Sequence, residues 1–312
     1  MTTIRTYTYA LILELKNAGR YSTAGIYTST IKSFLQFAKR QELTFSEVTS
    51  SMIKEYEEYL LQKGCRHNTL STYMRMLRSI FNQAKTNGAD FSCNIDELFM
   101  YIFTGYEPTR KRAISPILIR GLATLDLSQN YSLVFSRDIF LLSFYLRGIP
   151  FVDLAHLRKS DIRNNTIYYY RQKTKRQLSI YIEPCASEII EKYKYDNKNS
   201  PYLLPILTSA GEAAFQEYKS ALRLYNQHLH RLSFMLNLSI PLTSYVARHS
   251  WATTAKNQGV PIAVISESLG HSTEKITNVY LASFDNNMIS EANRKVIKAL
   301  TLNKKQSNRK EI

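Results

Sequence analysis

One short island of β-forming residues interrupts a chain otherwise patterned for helices, and that island sets the class of fold. Asn164 and Asn165 mark a turn, and the stretch TIYYY from Thr166 to Tyr170 is dense in β-branched and aromatic side chains. A polar connection follows from Lys173 to Arg176. Gln177 to Ile182 then alternates, with Leu178, Ile180 and Ile182 on one face and Ser179 and Tyr181 on the other. The two segments read as one small antiparallel hairpin bounded by Pro184. Elsewhere the apolar residues recur at helical spacing. The expected architecture is mainly α: a small helical domain, then a mixed α/β domain carrying a small β-hairpin sheet.

The chain of 312 residues is long enough for two domains of ~100–200 residues each. Ile31, Phe34, Leu35 and Ala38 follow the i, i+3, i+4, i+7 spacing of a helix with one buried face. A second helix is expected from Thr49 or Ser50, carrying Met52, Ile53, Tyr56 and Leu60 and stopping at Gly64. A third is expected from Asn68, a good N-cap residue, burying Leu70, Tyr73, Leu77, Ile80, Phe81 and Ala84 before Gly88. Arg66, Arg75 and Arg78 accompany that helix, and a solvated edge accounts for them as well as a phosphate-contacting face does. TGYEPTRKRAIS then reads as a linker, broken by Gly105 and Pro108 and carrying the basic run Arg110, Lys111 and Arg112. The expected division is a helical domain over 1–103, a basic linker over 104–115, a second domain over 116–301 and a polar tail over 302–312.

Charge narrows the partner. Lys and Arg number 41 against 25 Asp and Glu, a formal charge of +16. Such an excess favours a polyanion, because each neutralised phosphate releases condensed counterions. A solvated basic surface or attraction to an anionic membrane is the alternative reading of the charge; no segment approaches the ~20 apolar residues of a span, and no membrane partner is expected. The apolar run before Glu14 and Lys16 is too short for a secretory signal. Cys65, Cys93 and Cys185 are odd in number and scattered, which argues for a reducing cytoplasm rather than a disulfide framework. No cysteine pair has zinc spacing, and His228 and His230 fall on different faces of a helix.

Four features of the second domain suit a charged phosphodiester as substrate. SYVARHSWAT places Arg248 and His249 inside a helix-compatible stretch. LGHSTEKITNVY sets Gly270-His271 ahead of Tyr280, and Lys173 stands at the exit of the hairpin's first strand. In FYLRGIPFVDLAHLRKSDI, Arg147 ends an apolar run just before Gly148. Each alone has an ordinary explanation: Tyr280 is one of 22 tyrosines, His271 follows a glycine as helix caps do, Lys173 suits any hairpin turn, and Arg147 can pair with Asp153.

Together, and in this order along the chain, they closely resemble the tyrosine recombinase (phage integrase) family. HNTLSTYMRMLRSIFNQA is similar to the last helix of that family's helical, SAM-like core-binding domain, so the resemblance runs from about Tyr21 to Leu300. It implies a site-specific DNA recombinase in which Tyr280 attacks a phosphodiester, forms a 3′-phosphotyrosyl bond and expels a 5′-hydroxyl. Arg248 would hold the non-bridging oxygens, Lys173 would protonate the leaving oxygen, and His271 would hydrogen-bond the scissile phosphate. DNA contacts are expected at Arg66, Thr69, Tyr73, Arg75, Arg78, Arg110, Lys111, Arg112 and Lys175. The chemistry suits these residue types, since a free phenol has a pKa of ~10 and nearby cations lower it. Arginine's planar fork also binds two oxygens at once. No metal or other cofactor is expected.

Two positions depart from the family pattern. The first arginine normally stands three residues before the acidic position, here Asp153, and that slot holds Pro150. Arg147, one turn away, is expected to substitute, ahead of Arg158 and Arg163. Where the family has a histidine three residues before Arg248 stands Tyr245, a phenol suited to positioning phosphate rather than moving protons. The resemblance implies double-stranded DNA with paired recombination sites as partner. It also implies a tetramer exchanging the C-terminal segment around Ser290 to Leu300, with accessory DNA-bending proteins possible, in the bacterial cytoplasm at the nucleoid. The alternatives are a type IB topoisomerase activity and a catalytically impaired DNA-binding relative. No additional arm-binding domain is evident before Tyr21.

Overall fold

The computed structural model describes residues 2–109, 112–196, 198–281, 290–291 and 293–298, and leaves the side chain of Tyr280 outside that set. The chain groups into two compact units, Met1–Thr109 with Ser209–Gln216, and Arg110–Thr208 with Glu217–Ile312.

The first unit is helical. It comprises α1 (Ile4–Asn17), α2 (Tyr21–Ala38), α3 (Ser50–Gln62), α4 (His67–Thr86) and the short α5 (Ile95–Leu98). Helix α1 lies ahead of Tyr21 and belongs to the same core, burying Ile4, Leu11, Ile12 and Leu15. Thr49 caps α3 by accepting from Met52 N. Helix α4 buries Leu70, Met74, Leu77, Ile80, Phe81 and Ala84, while Tyr73 is only half-buried. Phe34 meets Tyr56 and Phe81 edge-on, at ring centroids 5.1 and 6.3 Å apart.

Asn68 does not cap α4. The helix starts one residue earlier, with Arg66 at the N-cap. The Asn68 amide instead donates to Glu107 O and accepts from Glu107 N, both at 2.8 Å. An amide side chain matches a peptide unit donor for acceptor, so it docks the passing backbone. Ser71 Oγ likewise donates to Gly105 O at 2.7 Å. Residues 105–107 of the expected linker are therefore laced onto α4.

The second unit adds α6 (Pro116–Ala123), α7 (Tyr131–Tyr145) and α8 (Phe151–His156) before its strands. The sheet has three antiparallel strands, β1 (Ile162–Arg163), β2 (Thr166–Tyr170) and β3 (Gln177–Tyr181), in that order. The expected hairpin is β2–β3, with Thr166 opposite Tyr181 and Tyr170 opposite Gln177. The extra strand, β1, follows from the turn residues. Asn164 and Asn165 both adopt positive φ, at 47° and 57°, which is the geometry of a two-residue hairpin loop. Alternation turns Ile167 and Tyr169 into the core and leaves Tyr168 and Tyr170 exposed.

After the sheet come α9 (Pro184–Tyr193), α10 (Gly211–Met235), α11 (Val246–Asn257), α12 (Ile262–Ser268) and α13 (Glu274–Tyr280). The core of this unit gathers Leu122, Phe140, Leu142, Leu154, Ile167, Leu229 and Val246. Residues 290–291 and 293–298 are helical and exposed, and the polar tail over 302–312 lies outside the described residues. Among the described residues no helix is long and apolar enough to cross a membrane.

Candidate active site

Helix α11 carries Arg248 one turn in from its N-terminus and buries it to 2% exposure. A buried guanidinium is costly unless its donors are met. Here Nη1 donates to Gly148 O at 2.8 Å, and Nη2 donates to Leu269 O at 2.6 Å and to His271 Nε2 at 2.9 Å. These acceptors come from the turn after α7 and the turn between α12 and α13, so Arg248 ties three distant segments together.

The turn after α7 is shaped for that contact. Arg147 and Gly148 are successive left-handed residues, at φ 58° and 69°, and Gly148 N donates back to Ser143 O at 2.8 Å. A Cβ on Gly148 would lie 2.8 Å from Arg248 Cα, closer than backbone permits, so only glycine fits. For Arg147 the left-handed conformation costs roughly 1–2 kcal/mol. Its guanidinium is only half-buried and makes a long 3.5 Å contact with Ser179 O. Pro150, in the family's arginine slot, is the N-cap of α8 and is buried.

Asp153 does not pair with Arg147. It pairs with Arg171, whose Nε lies 3.3 Å from Asp153 Oδ2, while Gln172 N donates to Oδ1 at 2.8 Å. Burial pushes the Asp153 carboxyl up, and the Gln172 amide and Arg171 pull it back down. Arg171 also donates from Nη1 to Leu269 O at 3.0 Å and Gly270 O at 3.2 Å. The Leu269 carbonyl thus accepts from both guanidiniums. Arg171 is not among the residues expected from the sequence, although one signal points to it. In TIYYYR the two-residue alternation that buries Ile167 and Tyr169 continues to Arg171, and a charge on the inward face needs a partner.

His271 is buried, with Nε2 facing Arg248 and Nδ1 lying 2.9 Å from Thr277 Oγ1. Guanidinium nitrogens only donate, so Nε2 accepts and Nδ1 carries the hydrogen toward Thr277. Burial, then Arg248, Arg171 and Lys173, hold its pKa down to about 3, so the ring is neutral at physiological pH. Its carbonyl accepts from Arg176 Nη1 at 2.8 Å. Lys173 is exposed on the β2–β3 connection and close enough to His271 to act on it.

Arg147, Arg171 and Arg248 all act electrostatically on Tyr169. Burial nevertheless drives that phenol well above its ordinary range, which disqualifies it as a nucleophile. Tyr245 occupies the N-cap position of α11 without a side-chain capping bond and is 46% exposed. Tyr280 is the last residue of α13, three residues beyond Thr277.

Two further candidates share a cleft with Asp153 and Gln172 of this cluster. Arg158 and Arg163 line an open cleft of about 690 Å³ with Tyr168 and Tyr170. Lys175 is exposed at φ 55° in the β2–β3 connection. In the first unit, Arg66 and Thr69 are exposed on the first turn of α4. Further along it Arg75 and Arg78 border a shallow depression with Asn82 and Gln83, and Arg78 is paired with Asp96. Arg112 is exposed, and Arg110 and Lys111 lie outside the described residues.

Two family models match the chain: the phage integrase SAM-like domain over residues 3–89, and the phage integrase family over residues 125–287. A tyrosine recombinase of Pseudothermotoga lettingae is 23% identical over 281 residues, spanning 87% of this chain and 91% of that protein. The tyrosine recombinase XerD of Rickettsia bellii is 22% identical over 272 residues, 81% of this chain and 86% of its own length. In fold the chain is similar to a lambda integrase dimer bound to a COC′ core site, at a TM-score of 0.63 and 15% identity over 85% of this chain and 92% of that one. It is also similar to the Tn1549 transposon integrase in complex with a circular intermediate DNA, at a TM-score of 0.64 and 16% identity over 95% of this chain and all of that one. With its catalytic-family match covering more than half its length, the chain belongs to the phage integrase family, the tyrosine recombinases that break and rejoin DNA.

Proposed function

We propose that this protein is a site-specific DNA recombinase that cuts and rejoins DNA through a 3′-phosphotyrosyl intermediate on Tyr280. The observation that carries this reading is the chain of contacts from Arg248 through His271 to Thr277. It links a buried guanidinium to the helix that ends in Tyr280. The Tyr280 phenol attacks the phosphorus and releases its proton to solvent as the O–P bond forms, and the P–O5′ bond breaks with the 5′-oxygen taking a proton from Lys173. Arg248 balances charge growing on the non-bridging oxygens. Arg147 fills the first-arginine role, supported by its weak single contact and its nearness to the cluster, whereas Arg171 is already held by Asp153 and two carbonyls. The covalent bond conserves the energy of the broken one, so religation by the 5′-hydroxyl needs no nucleotide.

The lambda integrase to which this fold is similar has been crystallised as a tetramer bound to a Holliday junction. We extend that assembly to this chain: two DNA sites pair within a tetramer, and strands exchange in two rounds to integrate, excise or invert a segment. Val296 and Ile297, 64% and 51% exposed on the C-terminal helical segment, supply apolar side chains for docking on a neighbouring subunit. The first unit, the 104–115 segment and the basic residues of α4 hold the duplex, with Tyr245 positioning phosphate.

The test is a nicked suicide substrate built on inverted repeats or attachment sites identified by sequencing the DNA that flanks the gene. Wild type, Tyr245→Phe and Tyr169→Phe accumulate covalent protein–DNA adducts, and Tyr280→Phe does not. Adducts that persist in Tyr280→Phe overturn the assignment. Supercoil relaxation without paired sites, at rates matching exchange, would favour the topoisomerase activity instead.

A further inference from the structure

Thr277 lies outside the residues expected to touch DNA, yet its hydroxyl is placed where the site needs it. It is fully buried, at 0% exposure, on α13 three residues before Tyr280. Its Oγ1 lies 2.9 Å from His271 Nδ1, and the opposite ring nitrogen faces Arg248 at 2.9 Å. A neutral imidazole has one donor and one acceptor, and which nitrogen holds the hydrogen is set by what the other faces. Arg248 offers only donors, so Nε2 must accept, and the hydrogen on Nδ1 needs an acceptor in a buried setting. Thr277 Oγ1 provides it. A valine there would be isosteric but would leave the ring donor buried without that acceptor.

We infer that Thr277 is a positioning residue: its hydroxyl holds His271 in the Nδ1–H form, so that Nε2 steadies Arg248, and it thereby couples the helix carrying Tyr280 to the phosphate-binding guanidinium. The inference rests on the recombinase reading for its catalytic consequence, but the protonation pattern of His271 is a property of the DNA-free protein. Two further features support it. The ring stays neutral, held so by burial and by Arg248, Arg171 and Lys173. The backbone around His271 is also already fixed, its amide donating to Ser266 O and its carbonyl accepting from Arg176. Arg248 favours Nε2 as acceptor from one side, and Thr277 Oγ1 supports the hydrogen on Nδ1 from the other.

The experiment has two arms on the full-length chain. First, ¹⁵N NMR of imidazole-labelled protein without DNA reads the tautomer of His271, assigned with His271→Asn. Wild type and Thr277→Ser show the Nδ1–H form, and Thr277→Val shows a shift toward Nε2–H. Second, single-turnover cleavage of the suicide substrate at saturating DNA falls at least about tenfold in Thr277→Val, the scale of one lost hydrogen bond. Thr277→Ser restores the rate, and DNA affinity is unchanged. In a His271→Ala background, Thr277→Val costs nothing further, because the threonine acts through the ring. An unchanged tautomer in Thr277→Val, an unchanged rate, or a full extra loss in the His271→Ala background each overturns the inference. Thr277→Ala gives the same readings if the valine variant folds poorly. Wild-type protein that forms no adduct at all would refute the recombinase reading while leaving the tautomer result standing.

Discussion

At the scale of single residues, the site separates side chains that are structurally committed from those that are not. Arg248 and Arg171 are buried and held by backbone carbonyls, whereas Arg147 reaches outward from a strained backbone. Arg147→Ala is expected to lower the cleavage rate about 10²-fold or more, as loss of a charge-stabilising donor does. Near-normal adduct formation would return the role to Arg158 or Arg163. Arg147→Gly should be equally inactive yet keep its stability within about 1 kcal/mol, since relief of the left-handed strain offsets the freer unfolded chain. His271 gives a second expectation. Its folded pKa of about 3 lies below the 6.5 of an unperturbed histidine, so between those values the unfolded chain binds a proton that the folded chain refuses. Stability therefore declines as pH falls below about 6.5 and is unaffected above it. Urea unfolding at pH 7.5 and 5.5 checks this, and His271→Asn should show a smaller drop than wild type. Tyr280, Arg248, Lys173 and His271 were legible as candidates because a family pattern fixes their spacing. Arg171 and Thr277 were not, because each is defined by a partner about a hundred or six residues away rather than by its neighbours.

Among the elements, the hairpin and helices α2, α3 and α4 followed from periodicity, which reports which face is buried, whereas α1 and α5 did not. Periodicity says nothing about side-chain-to-backbone contacts, and there structure and sequence expectation part. Asn68 has the chemistry of an N-cap, but the same amide served a passing strand of backbone instead. Strand β1 is too short to show alternation and was visible only through the Asn164-Asn165 turn. The turn after α7 carries the sharpest element-level expectation. Gly148→Ala would force a Cβ against Arg248 Cα at a left-handed φ, costing about 2–4 kcal/mol in overpacking and strain together. Cleavage should fall with it, whereas Gly64→Ala, with open space around the glycine, should cost only the conformational term. A Gly148→Ala variant with wild-type melting and cleavage would show that the turn yields more easily than its contacts indicate.

Over the whole molecule, charge dominates. A net +16 predicts DNA binding whose logarithm falls linearly with the logarithm of salt concentration, each phosphate contact adding about 0.9 to the slope. Arg75→Ala, an exposed change on α4, should reduce that slope by about 1 at every DNA sequence tested. An unchanged slope would remove Arg75 from the interface. The contacts that hold the site together also have a temporal meaning. Arg171 reaches Leu269 and Gly270 across 98 and 99 residues, Arg176 reaches His271 across 95, and Arg248 reaches Gly148 across 100. Contacts so distant along the chain close late, because loop entropy must be overcome before they form. During synthesis the acceptors at 269–271 and the proposed nucleophile at 280 emerge after the other residues of the site. A ribosome-bound or prematurely ended chain therefore holds neither a clamp nor an attacking group. Under the proposed chemistry, the DNA beside a nascent recombinase is safe from it until the last of the catalytic unit has been made and folded.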